Sequence, residues 1–303
     1  MPQPNLSHLS VLAAVARHSS FRKAAEEVGI STSAVSHAVR GLEERLGVSL
    51  LNRTTRSVSL TDAGQRLVQR MQPALRDLGD ALEEMNNFRT SPTGTLRINT
   101  SRSAAQFLIA PMIPRFLAAY PQLHVEIVDE DGLVDIVARG FDAGIRFEES
   151  IPEDMVGVRI GPGRGVAIVG SPDYFRHRAK PSHPDELALH ECVRHRFPSG
   201  RIYKWELEKD GVKLDLDVKG RVTLGDQNLV VQMALEGIGL AYAFEDYVAG
   251  PVAQGRLVCV MEDWCPRLPS FMLYYPRQRK ISSALRAFID MAMEDREQMS
   301  AAA

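Results

Sequence analysis

Hydrophobic residues recur every three or four positions over the first fifty residues of the chain, which is the spacing of amphipathic helices. The pattern predicts three short helices, with apolar faces formed by Leu6, Leu9, Leu12, Ala13 and Ala16, by Ala24, Ala25 and Val28, and by Val35, Ala38, Val39, Leu42 and Leu46. Ser20 and Ser31 are suited to cap the second and third helices, and Gly29 and Gly47 are suited to end them.

The outward face of the third predicted helix is short, polar and nearly uncharged over its first two turns. It consists of Thr32, Ser33, Ser36, His37 and Arg40. Short side chains let a helix backbone approach base edges in the major groove, and hydroxyls bond to both bases and phosphates. The pattern indicates a DNA-reading helix, although an ordinary solvent-exposed helix face has the same spacing.

A hairpin with a basic middle follows the third helix. The segment LLNRTTRSVSL, residues 50–60, has β-favouring residues at both ends and carries Arg53, Thr54 and Arg56 between them. Three helices and a basic hairpin are the parts of a winged helix-turn-helix, whose wing contacts phosphate or the minor groove. Residues 1–64 hold seven basic against five acidic side chains in a chain of net charge −2, which favours an N-terminal nucleic-acid site.

The segment SFRKAAEEVGISTSAVSHAVRGLEERLGVSLLNRTTRSVSLTDAG, residues 20–64, resembles the DNA-binding domain of LysR-type transcriptional regulators. The resemblance rests on S-F-x-x-A-A, on A-V-S in the third helix, on L-E-x-x-L-G, on L-x-R-T in the wing and on the closing L-T-x-A-G. It implies a winged helix-turn-helix at residues 1–61 that binds double-stranded operator DNA, with the five helix residues and three wing residues named above as its contacts.

The stretch from 62 to 90 is predicted to be a long connecting helix. Met71, Leu75, Leu78, Leu82 and Met85 repeat at steps of four and three, which is a heptad seam. Such a stripe needs a partner helix, although packing on its own domain would also cover it. Pro73 predicts a kink or a break, because a mid-helix proline removes a hydrogen bond. In LysR-type proteins this segment pairs two subunits, so the resemblance implies a homodimer, and a homotetramer through the C-terminal half.

Residues 91–303 alternate short apolar β-runs with helical stretches, the pattern of a parallel α/β sheet with helices on its faces. Strands are predicted at TLRINT, HVEIVDE, DAGIRF, GVAIVG, RVTL, GLAYAF, RLVCVM and FMLYYP, with a hairpin turning at Asp210 and Gly211. Helices are predicted at 105–121, 133–141, after Pro172, from Asp226 and near 281–296. The whole resembles the two-lobed, periplasmic-binding-protein-like (type 2) effector-binding domain of the same family, with lobe I at about 91–162 and 267–303 and lobe II at about 163–266.

Ligands of open α/β sheets bind beyond the carboxyl ends of the strands, close to helix N-termini. This rule predicts an effector cleft formed by Thr100, Ser101, Arg102, Ser103, Arg146, Phe147, Phe197, Asp226, Gln227 and Phe244. The hydroxyl-rich start of a helix next to Arg102 and Arg146 favours a small-molecule carboxylate as effector. Either arginine is equally well explained as a structural ion pair with Asp129, Glu130 or Asp131.

Signatures of catalytic or metal sites are incomplete in this chain. In HECVRH, residues 190–195, the second histidine stands five residues after the first, which turns it off the helix face that a zinc protease needs. GPGRG at 161–165 lacks the Lys-Ser/Thr of a phosphate loop, and no Gly-x-Ser-x-Gly elbow is present. The prediction is a regulator that is not an enzyme and needs neither cofactor nor metal.

The remaining expectations concern location and alternative classes. No run of about 18 apolar residues and no signal peptide is visible, so a cytoplasmic protein without membrane contact is expected. Cys192, Cys259 and Cys265 are too few for a disulfide framework, and buried or inert thiols are favoured over redox sensing. A plain solute-binding protein would lack the DNA-binding unit. A regulator whose C-terminal half only oligomerises and binds no ligand is the alternative that stays open.

Overall fold

The computed structural model describes residues 6–53, 58–86, 92–148 and 151–301, and of residues 53, 72–73, 76–77, 79–86 and 299–301 it describes the backbone only. The chain divides into two compact units. The first contains the residues up to Thr90 together with Asp135–Gly140, and the second contains Ser91–Val134 and Phe141–Ala303. Thr54 and Arg56 of the predicted wing lie outside the described residues.

Three helices and a hairpin build the first unit, followed by one long helix. The elements are α1 (Leu6–His18), α2 (Phe21–Val28), α3 (Thr32–Leu46), β1 (Leu51–Arg53), β2 (Val58–Leu60) and α4 (Asp62–Asn86). The predicted caps are confirmed, since Ser20 and Ser31 each accept a backbone N–H of the first helical turn. Gly29 and Gly47 end α2 and α3 with φ of 71° and 69°, which only glycine adopts without strain.

The wing is fastened to the rest of the unit at both of its ends. The Glu43 carboxylate on α3 accepts the backbone N–H groups of Leu50 and Leu51 at 2.8 and 3.1 Å. Thr61 donates to the Ser49 carbonyl and accepts from the Gly64 N–H, so one side chain both closes the hairpin and caps α4. A Cβ on Gly64 would lie 2.1 Å from the Leu50 carbonyl oxygen, so this close approach requires glycine.

Helix α4 is continuous from Asp62 to Asn86, so Pro73 does not break it, and the kink stays a prediction. The residues of the heptad stripe differ in burial along α4. Met71 is buried in the core of the first unit and Leu75 packs against that core, as the alternative reading of the stripe expected. Leu78 is 45% exposed, and the side chains of Leu82 and Met85 are outside the description.

The second unit contains two large sheets and a separate two-stranded hairpin. In chain order its strands are β3 (Gly94–Thr100), β4 (Leu123–Asp129), β5 (Ala143–Arg146), β6 (Met155–Ile160), β7 (Arg164–Gly170), β8 (Cys192–His195), β9 (Trp205–Lys209), β10 (Val212–Leu216), β11 (Thr223–Leu224), β12 (Leu240–Phe244), β13 (Val258–Val260), β14 (Arg267–Leu268) and β15 (Phe271–Pro276). Its α-helices are α5 (Arg102–Ala104), α6 (Ala110–Ala119), α7 (Gln227–Leu235), α8 (Glu245–Ala253) and α9 (Ser283–Ala301).

The first sheet has the order β4-β3-β5-β15-β6, and the second has the order β11-β8-β12-β7-β13 with β14 beside β7. Strand β15 returns to the first sheet after the whole second sheet has been completed, which gives the double crossover expected of two lobes. Both sheets are mixed and not purely parallel: β15 runs antiparallel to β5 and β6, and β7 antiparallel to β12 and β13. Strands β6, β8 and β14 and helix α8 were not predicted.

A π-helical segment, Ala105–Ile109, joins α5 to α6. Its cause is visible in the sequence, because Pro111 has no N–H to donate to the carbonyl of Phe107 four residues earlier. That carbonyl accepts instead from the Arg164 guanidinium at 3.3 Å. The predicted helix is therefore present, with its register shifted by one residue ahead of the proline.

Two of the predicted helices are wrong. Residues 136–140 form turns, because a single helical turn opened by Asp135 ends at once at Gly140, whose φ is 75°. The segment after Pro172 forms only a short 3-10 turn, Tyr174–His177. The hairpin of β9 and β10 is confirmed, with φ of 53° at Asp210 and 81° at Gly211, the conformation of a tight two-residue turn. In the part of the chain that is described, no helix is long and apolar enough to cross a membrane.

Candidate nucleic-acid interface and ligand cavity

The polar face predicted on α3 is at the surface of the first unit. Val35, Ala38, Val39 and Leu42 are buried, which fixes the rotation of the helix, and Thr32, Ser33, His37 and Arg40 are exposed as a result. Ser36 is half-buried between them. Ser33 shares a hydrogen bond of 2.9 Å with the cap Ser31, so its hydroxyl already has a partner.

Four side chains of this face have hydrogen-bonding groups that the described part of the protein does not use. Within the described ranges, Thr32, Ser36, His37 and Arg40 make no side-chain hydrogen bond or ion pair. The next arginine along the helix differs, because Arg45 donates to the Gly41 carbonyl and contacts His8. The first two turns of α3 therefore present donors and acceptors of several kinds, and its acidic residues stand behind them.

The wing places Arg53 at the end of β1, where the backbone pairs Arg53 with Val58 across the hairpin. The tip between them, with Thr54 and Arg56, is outside the described residues. The backbone alone therefore shows that Arg53 leads directly into the tip of a two-stranded wing.

A cavity of about 690 Å³ opens between the two sheets of the second unit. It lies where β3, β5, β8 and β12 end and α5 and α7 begin, as the strand-end rule predicts for such sheets. Eight of the ten residues predicted for it line its wall: Ser101, Arg102, Ser103, Arg146, Phe147, Phe197, Gln227 and Phe244.

Thr100 and Asp226 do not line the cavity, which corrects the prediction for both. Thr100 is fully buried within β3 and donates its hydroxyl to the Ser101 carbonyl. Asp226 caps α7 by accepting the Leu229 N–H at 3.1 Å and forms an ion pair with Arg102. Burial raises the pKa of the Asp226 carboxyl, but the hydrogen bonds from Leu229 and Arg102 outweigh it and lower that pKa overall.

Arg146 is held almost entirely by uncharged oxygen atoms. It is 5% exposed, and it donates to the carbonyls of Ile145, Glu130 and Gly132 and to the Asn99 side-chain oxygen, at 2.6–3.0 Å. Burial lowers the pKa of its guanidinium, which stays charged at neutral pH because an arginine pKa is far above 7. Arg146 thus fastens the loop after β4 to the end of β5.

Arg102 has carboxylate partners on two elements. Its guanidinium pairs with Asp226 at the start of α7 and, at 3.4 Å, with Asp129 at the end of β4. The hydrogen bond to Asp226 is the main cause that raises the Arg102 pKa. The Arg102 backbone N–H donates to the Asp131 carboxylate at 2.9 Å, so an acidic side chain of the protein already occupies the start of α5.

Sequence reasoning missed a large part of the wall. The missed residues that carry chemistry are Glu130, Asp131, His195, Arg201, Tyr203, Glu206, Tyr242 and Tyr247. One signal was available: β12 alternates Ala241 and Ala243 with Tyr242 and Phe244, so its aromatic rings share one face of the strand. Tyr203 and Glu206 come from the hairpin region, which the strand-end rule does not address.

His195 ends β8 and is 8% exposed. Its Nδ1 has no hydrogen-bond partner among the described residues, and the same holds for the side-chain oxygen of Gln227. Burial lowers the pKa of His195, so its imidazole is neutral at pH 7. His190 bonds instead to the Tyr174 hydroxyl, which separates the two histidines of HECVRH. No metal-binding cluster of His, Cys, Asp or Glu is found among the residues described.

The three cysteines are unpaired thiols. Burial is the main cause that raises the pKa of each, to about 12 for Cys192 and about 11 for Cys265. Because the thiolate is the reactive form, these thiols are poor nucleophiles at neutral pH.

The chain combines a winged helix-turn-helix with an α/β unit that has a cavity between two sheets. This combination is typical of one class of protein, DNA-binding regulators with a domain of the ligand-binding type. The family model described as bacterial regulatory helix-turn-helix protein, lysR family, matches residues 6–65, and the model of the LysR substrate binding domain matches residues 89–297. This chain belongs to the LysR family of transcriptional regulators.

Individual relatives agree over nearly the full length. The chain is 43% identical to the uncharacterized HTH-type transcriptional regulator YcaN of Escherichia coli strain K12, covering 94% of each chain. It is 36% identical to the HTH-type transcriptional regulator PgrR of the same strain, over 96% of this chain and 97% of PgrR. The structure of CrgA, a LysR-type transcriptional regulator from Neisseria meningitidis, is similar with a TM-score of 0.59 at 28% identity, over 97% of this chain and 99% of that one.

Proposed function

We propose that this LysR-type regulator reads its operator with α3 and the wing, and that a small organic effector bound in the cavity between its two sheets changes its action on transcription. The cavity at the strand ends is the observation that supports the effector. Closing of the two lobes around a ligand would act on DNA binding only if the ligand has different affinities for the open and closed arrangements. Acting on DNA, the protein is expected in the cytoplasm, as a regulator and not as an enzyme.

The DNA-binding part of the proposal rests on Thr32, Ser36, His37 and Arg40 as the contacts of α3. Operator sequences can be selected from random double-stranded DNA with the full-length protein. Ser36→Ala or His37→Ala should then weaken the preference for one base at one operator position. The expected loss of discrimination against the other bases is about 1–3 kcal/mol. Arg45→Ala is the matched control, since Arg45 is exposed on the same helix but bonded within the protein. If the base preference is unchanged in all variants, α3 is not the helix that recognises the operator bases.

Arg53, Thr54 and Arg56 are proposed as wing contacts with phosphate or the minor groove. Arg53→Ala should weaken binding to every sequence and flatten its dependence on salt, because fewer counterions are released. Affinity is measured by fluorescence anisotropy from 50 to 200 mM salt. An unchanged slope would show that the wing does not contact the backbone.

The effector part is tested by filling the cavity. Gln227→Trp places a large side chain at its wall, whereas Gln232→Trp changes a residue of α7 that bonds to Glu236 away from it. In a reporter under the selected operator, Gln227→Trp should abolish the change of expression between growth conditions and keep operator binding intact. If Gln227→Trp responds like the parent protein, the alternative holds, in which the second unit oligomerises and binds no ligand.

A further inference from the structure

The chemistry of the cavity wall limits which effector fits it, an inference that rests on the proposed ligand-binding function. Six aromatic side chains line the cavity in two groups. Phe244 lies 6.0 Å from Phe147 and 6.4 Å from Tyr247 between ring centroids, and the second pair of rings is nearly parallel. Tyr203 lies 5.8 Å from both Phe197 and Tyr242. Walls of this kind offer ring faces and edges on which another ring system can stack.

The positive groups at the cavity are mostly engaged. The terminal nitrogens of Arg146 bond to four oxygens of the protein. Its Nε has no hydrogen-bond partner among the described residues, but it is covered by protein and out of reach of a ligand. Arg102 is paired with Asp226 and Asp129. A ligand carboxylate at either arginine would displace an existing partner and gain little.

The N-terminus of α5, which the sequence suggested as an anion site, is also occupied by side chains of the protein. The Asp131 carboxylate accepts the Arg102 N–H, and the Ser101 hydroxyl accepts the Ala104 N–H. Asp131, Glu130 and Glu206 place three carboxyl groups in the wall. An entering carboxylate would be repelled by them and would lose its water, and the exposed Arg201 alone would face it.

Three side-chain atoms of the wall residues lack a hydrogen-bond partner among the residues that the structure describes: Nε of Arg146, Nδ1 of His195 and the amide oxygen of Gln227. All three are covered by protein, but the Gln227 amide is neutral and stands at the end of a rotatable side chain. A buried polar atom left without a hydrogen bond destabilises the folded state. Rotation of the Gln227 amide about its last torsion, which is a soft rotor, turns its oxygen toward the cavity. A neutral donor on a ligand satisfies it there.

We propose that the effector is an uncharged molecule that combines an aromatic ring system with a neutral hydrogen-bonding group such as an amide or a hydroxyl, and that it is not a carboxylate. The rings of the wall hold its ring system, and the Gln227 amide recognises its polar group. This effector class replaces the carboxylate that the sequence favoured. It agrees with the alternative interpretation, in which Arg102 and Arg146 are structural residues.

Calorimetric titration of the full-length protein at pH 7.5 tests the proposal with three probes. They are 1-naphthaleneacetamide, its carboxylate 1-naphthaleneacetate, and cyclohexaneacetamide, which keeps the amide and lacks the aromatic rings. The amide with the naphthalene ring should bind at least tenfold more tightly than either of the others. The proposal is overturned if the carboxylate or the cyclohexane amide binds as tightly, or if none of the three binds.

Variants then locate the binding. Phe244→Leu should weaken binding of 1-naphthaleneacetamide at least fivefold, and Gln227→Arg should reverse the preference in favour of the carboxylate. Phe175→Leu is the matched control, because Phe175 packs on Tyr174 in the core of the second sheet and does not line the cavity. Equal loss in Phe244→Leu and Phe175→Leu, at unchanged thermal stability, would contradict stacking in the cavity.

The two proposals fail in different ways. If the probes do not bind but Gln227→Trp still abolishes the regulatory response, the cavity takes a ligand of another class and only this inference is wrong. If Gln227→Trp leaves the response unchanged, the effector function itself is wrong.

Discussion

At the scale of single residues, His195 has a measurable consequence for stability. Burial is the main cause that lowers its pKa, opposed by Asp131 and Asp226 and assisted by Arg102. The unfolded chain therefore binds a proton at a higher pH than the folded one, and stability falls as pH drops through the ordinary histidine range near 6.5. We expect the thermal midpoint of the second unit to fall less between pH 7.5 and 5.5 in His195→Gln than in the parent protein.

The exposed His177 provides the control, and His177→Gln should keep the parental pH dependence. Burial lowers the pKa of His190 in the same direction, so the His195→Gln variant keeps part of the slope. Equal slopes in His195→Gln and the parent protein would mean that the imidazole of His195 is not buried.

The residue scale also shows the limit of sequence reasoning. Caps such as Ser20, Ser31 and Gly47 follow from local chemistry, and the structure has them as predicted. The role of Arg146 depends on carbonyls of the loop after β4, which come from a distant part of the chain. Two arginines near strand ends suggest a bound anion, and only the folded structure reveals that other groups already hold them.

At the scale of elements, two glycines in helices of the first unit predict opposite effects of the same substitution. A Cβ on Gly64 in α4 would lie 2.1 Å from the Leu50 carbonyl oxygen, whereas a Cβ on Gly41 in α3 would meet only His8 at 3.9 Å. Alanine is favoured over glycine within a helix by about 1 kcal/mol. Gly41→Ala should therefore raise the stability of the unit by up to about 1 kcal/mol, and Gly64→Ala should lower it by at least about 1–3 kcal/mol through overpacking.

Urea unfolding followed by circular dichroism measures both changes. If Gly64→Ala stabilises the unit as much as Gly41→Ala does, the close approach between α4 and the hairpin is absent in solution. The contact also gives a physical reason for the last glycine of the L-T-x-A-G segment, which the sequence showed only as a resemblance.

Elements with a strong local pattern could be predicted, and those defined by tertiary partners could not. The helices of the first unit and the hairpin at Asp210 and Gly211 have clear periodicity and turn residues. Strand β6 is short and interrupted by Gly157, which weakens its strand pattern, and it is held by its pairing with β15 far along the chain. The stretch at 133–141 has helical spacing, but only a single turn forms between Asp135 and Gly140.

At the scale of the whole molecule, the alternation of strands and helices was enough to predict two α/β lobes and the position of a cavity at the strand ends. It was not enough to predict that the sheets are mixed. The antiparallel direction of β15 and β7 depends on their pairing with strands that are distant in the sequence. The wall of the cavity divides in the same way. Residues at strand ends, such as Ser101 and Phe147, were predicted, while Tyr203 and Glu206 enter from the hairpin region and were not.

The assembly of subunits also belongs to the scale of the whole molecule, and it depends on the exposed part of α4. Leu75 packs on the core of its own unit, but Leu78, one heptad after Met71, is 45% exposed on the same helix. A second copy of α4 would bury it, which is worth about 1.5–3 kcal/mol for each leucine, whereas a carboxylate in that seam would have to be desolvated. Leu78→Glu, alone or with Leu82→Glu, should therefore raise the dimer dissociation constant at least tenfold in sedimentation velocity experiments. Leu189→Glu changes another leucine, 82% exposed in the second unit, and should leave the assembly unaltered. An undisturbed dimer in Leu78→Glu with Leu82→Glu would refute pairing through α4, and a monomeric parent protein would refute dimerisation itself.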